Sequence, residues 1–269
     1  MTALLDIDGL TIKSGRKVLV DNVSFSLSQG ERLGLIGESG SGKSLTALAA
    51  IGLLPQALTP SGSVHLAGTQ VLSAPDRDLV PLRGTVTATI FQEPLTALDP
   101  LMPIGRQVAE PLRRRAQRDN KPIRRNDLAH AVIDLLTQVA LPDPAGMAKR
   151  YPHELSGGQR QRVAIAMALA CKPALLIADE PTTALDVTTQ AEILALLRKL
   201  VADNDMALLF ISHDLPVVSQ IVDKVIVLRQ GKIVETGRVT EVFANPQHDY
   251  TKGLVAAARA FDKALEGRP

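Results

Sequence analysis

The chain has 269 residues, 45% hydrophobic and 22% charged, which is the profile of an ordinary globular protein with one sizeable core or one core carrying an inserted lobe. A formal net charge of +2 provides no basic excess for nucleic acid, and the absence of Trp with only 2 Tyr argues against a base-stacking platform. The single cysteine, Cys171, cannot close an internal disulfide, which fits a reducing compartment. Its apolar flank, residues 163–170, predicts a buried structural thiol. The longest apolar run stops at Lys172, far short of the roughly 18 residues a membrane span needs. Residues 1–6 lack the basic-then-apolar pattern of a signal peptide, so any membrane role is expected to come through partners.

Residues 4–33 read as strands and turns, with Val18, Leu19, Val20, Val23, Phe25 and Leu27 in short or alternating apolar patterns. Residues 33–36 form a short buried strand that runs into Gly37, Glu38, Ser39, Gly40, Ser41, Gly42, Lys43 and Ser44. That run satisfies G-x-x-x-x-G-K-[ST] in full. Its glycines let the backbone turn so that successive N–H groups face phosphate oxygens. Lys43 brings a positive charge for the β and γ phosphates, and Ser44 a hydroxyl for Mg²⁺. A helix over 45–54, ended by Pro55, points its positive end at the anion.

Residues 60–81 are turn-rich, with 64–66 a strand of a small antiparallel sheet and His65 a surface residue without metal-ligand spacing. Residues 86–91 form another strand that delivers Gln92 to its end, where a side-chain carbonyl can meet a metal and an amide can meet a water. Spacing alone reads the run after Gln92 as a bland loop. Residues 100–151 change texture and read as an inserted helical lobe, with Leu128, Ala131, Val132, Leu135, Leu136 and Val139 as one apolar stripe. Ahead of the stripe lies a basic cluster of Arg113, Arg114, Arg115, Arg118, Lys121, Arg124 and Arg125. It is read first as a solvated helix face and second as a contact for anionic lipid headgroups.

Leu155, Ser156, Gly157, Gly158 and Gln159 open a helix that runs to about Ala170. A serine and two glycines at a helix start make an anion site, and Ser156 is also a plain N-cap. Residues 174–178 are a buried parallel strand by composition, ending in Asp179 and Glu180. Two carboxylates at a strand tip suit a metal-holding role for one and polarisation of an attacking water by the other. Asp186 stands where it can cap the next helix, whose inner face is Ile193, Leu196, Leu197, Leu200 and Val201. Residues 207–211 are a further buried strand with His213 just past its tip, and open parallel sheets bind ligands at the carboxyl ends of their strands. Residues 225–234 form a closing hairpin about Gln230-Gly231.

Taken together, the loop at 37–44, Gln92, the Leu-Ser-Gly-Gly-Gln run, the Asp179-Glu180 pair, Ala184-Leu185-Asp186 and His213 resemble, in order and over nearly the whole chain, the nucleotide-binding subunit of ATP-binding cassette (ABC) transporters. The runs 91–100, 179–187 and 243–252 look closest to the dipeptide, oligopeptide and nickel importer subgroup. The resemblance implies an α/β fold: a P-loop NTPase (RecA-like) core with an antiparallel β subdomain and an inserted α-helical subdomain. It places an ATPase domain over 1–240, a helical lobe at about 100–160 and a C-terminal extension over 241–269. It implies ATP and Mg²⁺ as cofactors, with Ser44, Gln92 and Asp179 on the metal, Glu180 as general base, and Lys43, Gln92 and His213 as its catalytic companions. Gly37 to Ser44, Ser156, Gly157, Gly158, Gln159 and Asp186 contact nucleotide across a head-to-tail pair.

The implied partners are two membrane permease subunits, a second ABC ATPase subunit (a paralogue, as the subgroup usually uses, or a copy), and a periplasmic or lipid-anchored solute-binding protein, with no nucleic acid. The implied place is the cytoplasmic face of the bacterial inner membrane, and the implied cargo peptides or nickel and metal chelates. The rival reading is a soluble ABC ATPase acting on DNA or ribosomes, but such relatives carry tandem cassettes, long coiled-coil insertions or zinc modules. Three departures stand out. Ser14 occupies the place where the family often stacks an aromatic on adenine. Asp249 replaces the subgroup's usual Pro. The tail lacks the cysteine cluster of several peptide importers, which argues against an iron–sulfur cluster and shifts the expectation slightly toward nickel or metal-chelate importers.

Overall fold

The computed structural model describes residues 3–92, 97–183 and 185–266. The chain divides into two compact units, residues 1–80 with 205–269, and residues 81–204.

The first unit holds two sheets. Strands β1 (Leu5–Ser14) and β2 (Lys17–Leu27) pair antiparallel with β4 (Thr59–Leu66) and the short β5 (Thr69–Gln70) in the order β2-β1-β4-β5. On β1 the inward residues are Leu5 and Ile7, then Leu10 and Ile12, with the register shifting between Ile7 and Leu10 so that the apolar side stays inward. The expected strand at 64–66 begins five residues earlier. Pro60 is tolerated because β5 covers only His65 and Leu66 and leaves the Pro60 end of β4 an open edge. His65 is half-buried, with Nδ1 3.2 Å from the Ser63 hydroxyl, rather than a plain surface residue.

The other sheet of this unit runs β10-β9-β3-β8. In it β3 (Arg32–Ile36) lies parallel to both β8 (Ala207–Ser212) and β9 (Lys224–Arg229). Leu33, Leu35, Ile36 and Ala207 to Ile211 are buried, as the unbroken apolar runs of a sheet covered on both faces require. Strand β10 (Lys232–Arg238) returns from β9 through Gln230 (φ 49°) and Gly231 (φ 81°), the left-handed pair of a tight hairpin turn. Helix α1 (Lys43–Ala50) starts on the glycine-rich loop and stops short of the expected 54. Gly52 (φ 66°) ends it: its N–H donates to Ala49 O and that of Leu53 to Leu48 O, a paired cap that satisfies the last carbonyls before Pro55 is reached. Helices α2 (Asp76–Leu79), α8 (Leu215–Ile221), α9 (Val239–Ala244) and α10 (Asp249–Glu266) complete the unit.

The second unit pairs β6 (Thr87–Ile90) parallel with β7 (Leu175–Asp179). Its helical lobe comprises α3 (Ile104–Arg118), α4 (Arg125–Gln138) and the single turn α5 (Pro144–Met147), followed by α6 (Gly157–Leu169) and α7 (Val187–Asp203). The stripe on α4 is buried at Leu128, Val132, Leu135 and Leu136, continued by Val139. Arg162 of α6 staples this lobe, donating to the Val139 carbonyl at 2.9 Å and to Glu192 of α7 at 2.8 Å. The expected buried thiol is only half-buried. Cys171 sits past the end of α6, where its Sγ donates to the Pro111 carbonyl at 3.4 Å and burial pushes its pKa up. Among the described residues no helix is long and apolar enough to cross a membrane.

Candidate nucleotide site

The loop between β3 and α1 is shaped by contacts a side chain would destroy. A Cβ on Gly37 would lie 2.2 Å from the Leu228 carbonyl, and one on Gly42 3.0 Å from a Val20 methyl and 3.1 Å from the Leu19 carbonyl. The hairpin tip holds the loop from one side, with Gly231 N–H donating to Ser41 O at 3.1 Å. Lys43 is 5% exposed, and its Nζ donates to the carbonyls of Gly37 and Glu38, both at 2.8 Å. The ammonium is therefore folded into the mouth of its own loop. Ser41 is buried, and its hydroxyl oxygen has no hydrogen-bond partner among the described residues. Glu38, Ser39, Gly40 and Ser44 are exposed. A buried ammonium, an unmatched hydroxyl and a loop that glycines fold tightly against its neighbours fit a phosphate chain.

His213, exposed, follows the tip of β8 in the same unit. Its neighbours pin the chain there: Asp214 N–H donates to Ser212 Oγ at 3.0 Å, and the Asp214 carboxylate caps α8 by accepting from Val217 N–H. Ser14 is exposed at the β1–β2 turn, paired with Lys17.

The second unit carries the carboxylates. Asp179 ends β7, and Glu180 follows in left-handed backbone (φ 47°), an uncommon conformation for a side chain of its size. The Glu180 carboxylate accepts from the Gln92 amide at 3.3 Å and from the Thr183 hydroxyl at 3.0 Å, both on Oε2. The strand-end glutamine and the strand-tip glutamate thus meet, which their separation of 88 positions hides in the sequence. Thr183 has no spacing in the sequence that marks it for this contact. The stretch 93–96 and Ala184, parts of two of the three importer-like runs, lie outside the described residues.

Ser156 caps α6 reciprocally. Its hydroxyl accepts from Gln159 N–H at 3.3 Å, while Gln159 Oε1 accepts from Ser156 N–H at 2.9 Å. Leu155 is buried and anchors the turn, leaving Ser156 and Gly157 exposed. Within the same unit a Cβ on Gly158 would come 2.4 Å from the Thr189 methyl, so this glycine lets α6 approach α7. Asp186 caps α7, accepting from Thr189 N–H at 3.0 Å and Thr189 Oγ1 at 2.7 Å. Those bonds, the backbone one first, hold its carboxyl below the usual range. Part of the basic cluster is paired locally: Arg114 meets Glu110 at 3.1 Å, and Arg115 and Arg118 meet Asp119 at 3.6 and 2.8 Å. The Arg118 contact holds the Asp119 carboxyl low.

A glycine-rich loop joining a buried parallel strand to a helix, with acid groups at the tip of another parallel strand, defines the class as a P-loop NTPase. Residues 20–183 match the family described as ABC transporter. The chain belongs to that family and is an ATP-binding cassette of the ABC type. It is 52% identical over 242 residues to the peptidoglycan transport ATP-binding protein YejF of Agrobacterium fabrum, covering 89% of this chain and 43% of that one. It is 45% identical over 274 residues to a Brucella ovis protein provisionally named a peptide import ATP-binding protein, covering 98% and 80%. The chain therefore spans about two fifths of the length of the longer relatives. A dimeric post-hydrolysis structure of the ATP-binding cassette MJ0796 bound to ADP and Pi superimposes with a TM-score of 0.74 at 28% identity, covering 87% of this chain and 98% of that one.

Proposed function

We propose that this cassette hydrolyses ATP to drive import of peptides through membrane permease subunits, acting peripherally at the cytoplasmic face of a bacterial inner membrane. The observation that carries the hydrolytic part is the Glu180 carboxylate at a strand tip, held by Gln92 and Thr183. The import part is supported by the relatives' names, peptidoglycan transport and peptide import. Nickel and metal chelates find no support among those names. The solute is received by a separate binding protein, periplasmic or lipid-anchored.

The loop amides and Lys43 bind the phosphates. Ser44, Asp179 and Gln92 offer hard oxygen donors, the set that Mg²⁺ prefers, so they would hold that ion. When bound, it would neutralise charge on the β and γ phosphates. Glu180 takes the proton of the attacking water as general base, and His213 orients the γ-phosphate. Ser156, Gly157 and Gly158 close over nucleotide held by a second cassette, a paralogue or a copy. The exposed start of α6 and the dimeric relative support that arrangement. Closure and opening of the pair then shift the permease between its two states, with the helical lobe and the stretch after Gln92 receiving it.

The test is Glu180→Gln. Loss of a general base lowers turnover by roughly 10²- to 10⁴-fold, so the variant should bind ATP normally and hydrolyse it at that reduced rate in a phosphate-release assay. Near-normal turnover rules out the assignment. Co-purification with permease subunits rather than nucleic acid tests the transport role.

A further inference from the structure

The C-terminal extension reaches the nucleotide loop. Tyr250, the second residue of α10, is 9% exposed and accepts the Glu38 N–H on its hydroxyl oxygen at 2.8 Å, across 212 positions of sequence. That N–H belongs to the peptide group whose carbonyl, Gly37 O, receives Lys43 Nζ. One peptide plane at the mouth of the loop is thus gripped on both edges, by the loop lysine on its oxygen and by the tail tyrosine on its nitrogen. An ammonium on the carbonyl polarises the peptide and strengthens the bond its N–H makes, so the two contacts reinforce each other.

The tyrosine is itself fixed. The Arg229 guanidinium lies 5.0 Å from its ring centroid, immediately before the hairpin turn whose Gly231 N–H holds Ser41 O. Its own N–H donates to His248 Nδ1 at 3.1 Å. The turn before it is tied to β10 by Glu235, which accepts from the N–H groups of Gln247 and His248 at 2.8 and 3.0 Å. The grip on Glu38 is therefore the end of a chain of contacts, all within the first unit.

We propose that Tyr250 is a positioning residue for nucleotide binding: through the Glu38 amide it sets the orientation of the Gly37–Glu38 peptide, and so makes the C-terminal extension a brace on the loop. The inference rests on the reading of residues 37–44 as the ATP site. Tyr250→Phe removes only the hydroxyl and keeps the ring under Arg229. In the full chain, loss of one such bond should weaken MgATP binding by about three- to tenfold, and raise KM with kcat held. Amide exchange at Glu38 should quicken while β3 stays protected and the melting temperature stays close to that of the parent.

Lys43→Ala, measured alongside, separates the possible failures. Tyr250→Phe with parental affinity beside a Lys43→Ala that has lost ATP overturns the brace and leaves the loop reading standing. Parental affinity in Lys43→Ala overturns the loop reading, and the brace with it. If Tyr250→Phe is too unstable to titrate, Glu235→Gln, which reaches the tail through the Gln247 and His248 amides, replaces it. Weakened MgATP binding in that variant supports the brace, and unchanged binding overturns it.

Discussion

At the scale of single residues, the glycines of the loop are constrained for different reasons. Gly37 has φ 151° and faces the Leu228 carbonyl, a backbone atom that cannot swing aside. Gly40, at φ 77°, has open space where a Cβ would go. Gly37→Ala should therefore destabilise the protein by about 2–4 kcal/mol in urea unfolding and abolish ATP binding, because the clash adds to the strain. Gly40→Ala should show only the roughly 1–2 kcal/mol of a left-handed non-glycine residue. Equal losses in the two variants would mean that conformation alone, and not the approach of β9, shapes the loop. These glycines, the lysine and the two carboxylates were all legible in the sequence, because phosphate and metal chemistry fixes residue types at short spacings. The bond from Thr183 to Glu180 and the seat of Glu38 on Tyr250 were not, since neither a local hydroxyl nor a distant tyrosine leaves a pattern.

At the scale of elements, apolar periodicity located the buried strands and helices well, and their ends less well. The sequence places the end of helix α1 at Leu54, before Pro55, yet Gly52 ends it earlier, since a left-handed glycine satisfies the last carbonyls at once. The Cys171 flank looked uniformly apolar, but the residue falls past the end of α6 and is only half covered. The start of α6 shows one element in two roles. Ser156 caps the helix, so Ser156→Ala should cost about 1 kcal/mol in denaturant unfolding. Ser156→Asp restores a good cap and should recover that stability, but its negative charge opposes a phosphate, so ATPase activity should stay low in both variants. Recovery of activity by the aspartate would reduce Ser156 to a cap. The tail offers a pH test. Burial raises the Glu235 pKa, but the Gln247 amide and then the other hydrogen bonds outweigh it and hold the group below the usual carboxylate range. A depressed carboxyl contributes stability that is present above its unfolded pKa and lost as pH falls through the lower folded value. Melting temperature should accordingly drop below about pH 4.5, and Glu235→Gln should flatten part of that fall. An unchanged profile would mean the Glu235 contacts do not hold the extension in solution.

At the scale of the whole molecule, the exposed functional groups argue for a second cassette. Ser156 and Gly157 lie open at the head of a well-capped helix, and Val187, directly after the Asp186 cap, is 83% exposed. A large apolar side chain beside a phosphate-type helix start suits burial against another protein better than solvent. If nucleotide glues two such surfaces together, blocking hydrolysis should preserve the closed pair. Glu180→Gln with MgATP should therefore double in mass by light scattering where a copy can serve as partner, and in the presence of its paralogue form the mixed pair. With MgADP it should remain a monomer. Adding Ser156→Asp to the same chain should prevent the dimer while leaving Lys43 and the loop to bind ATP. Persistence of the closed pair with that aspartate in place would show that the helix start does not face the partner's nucleotide, and would remove the head-to-tail arrangement from the mechanism.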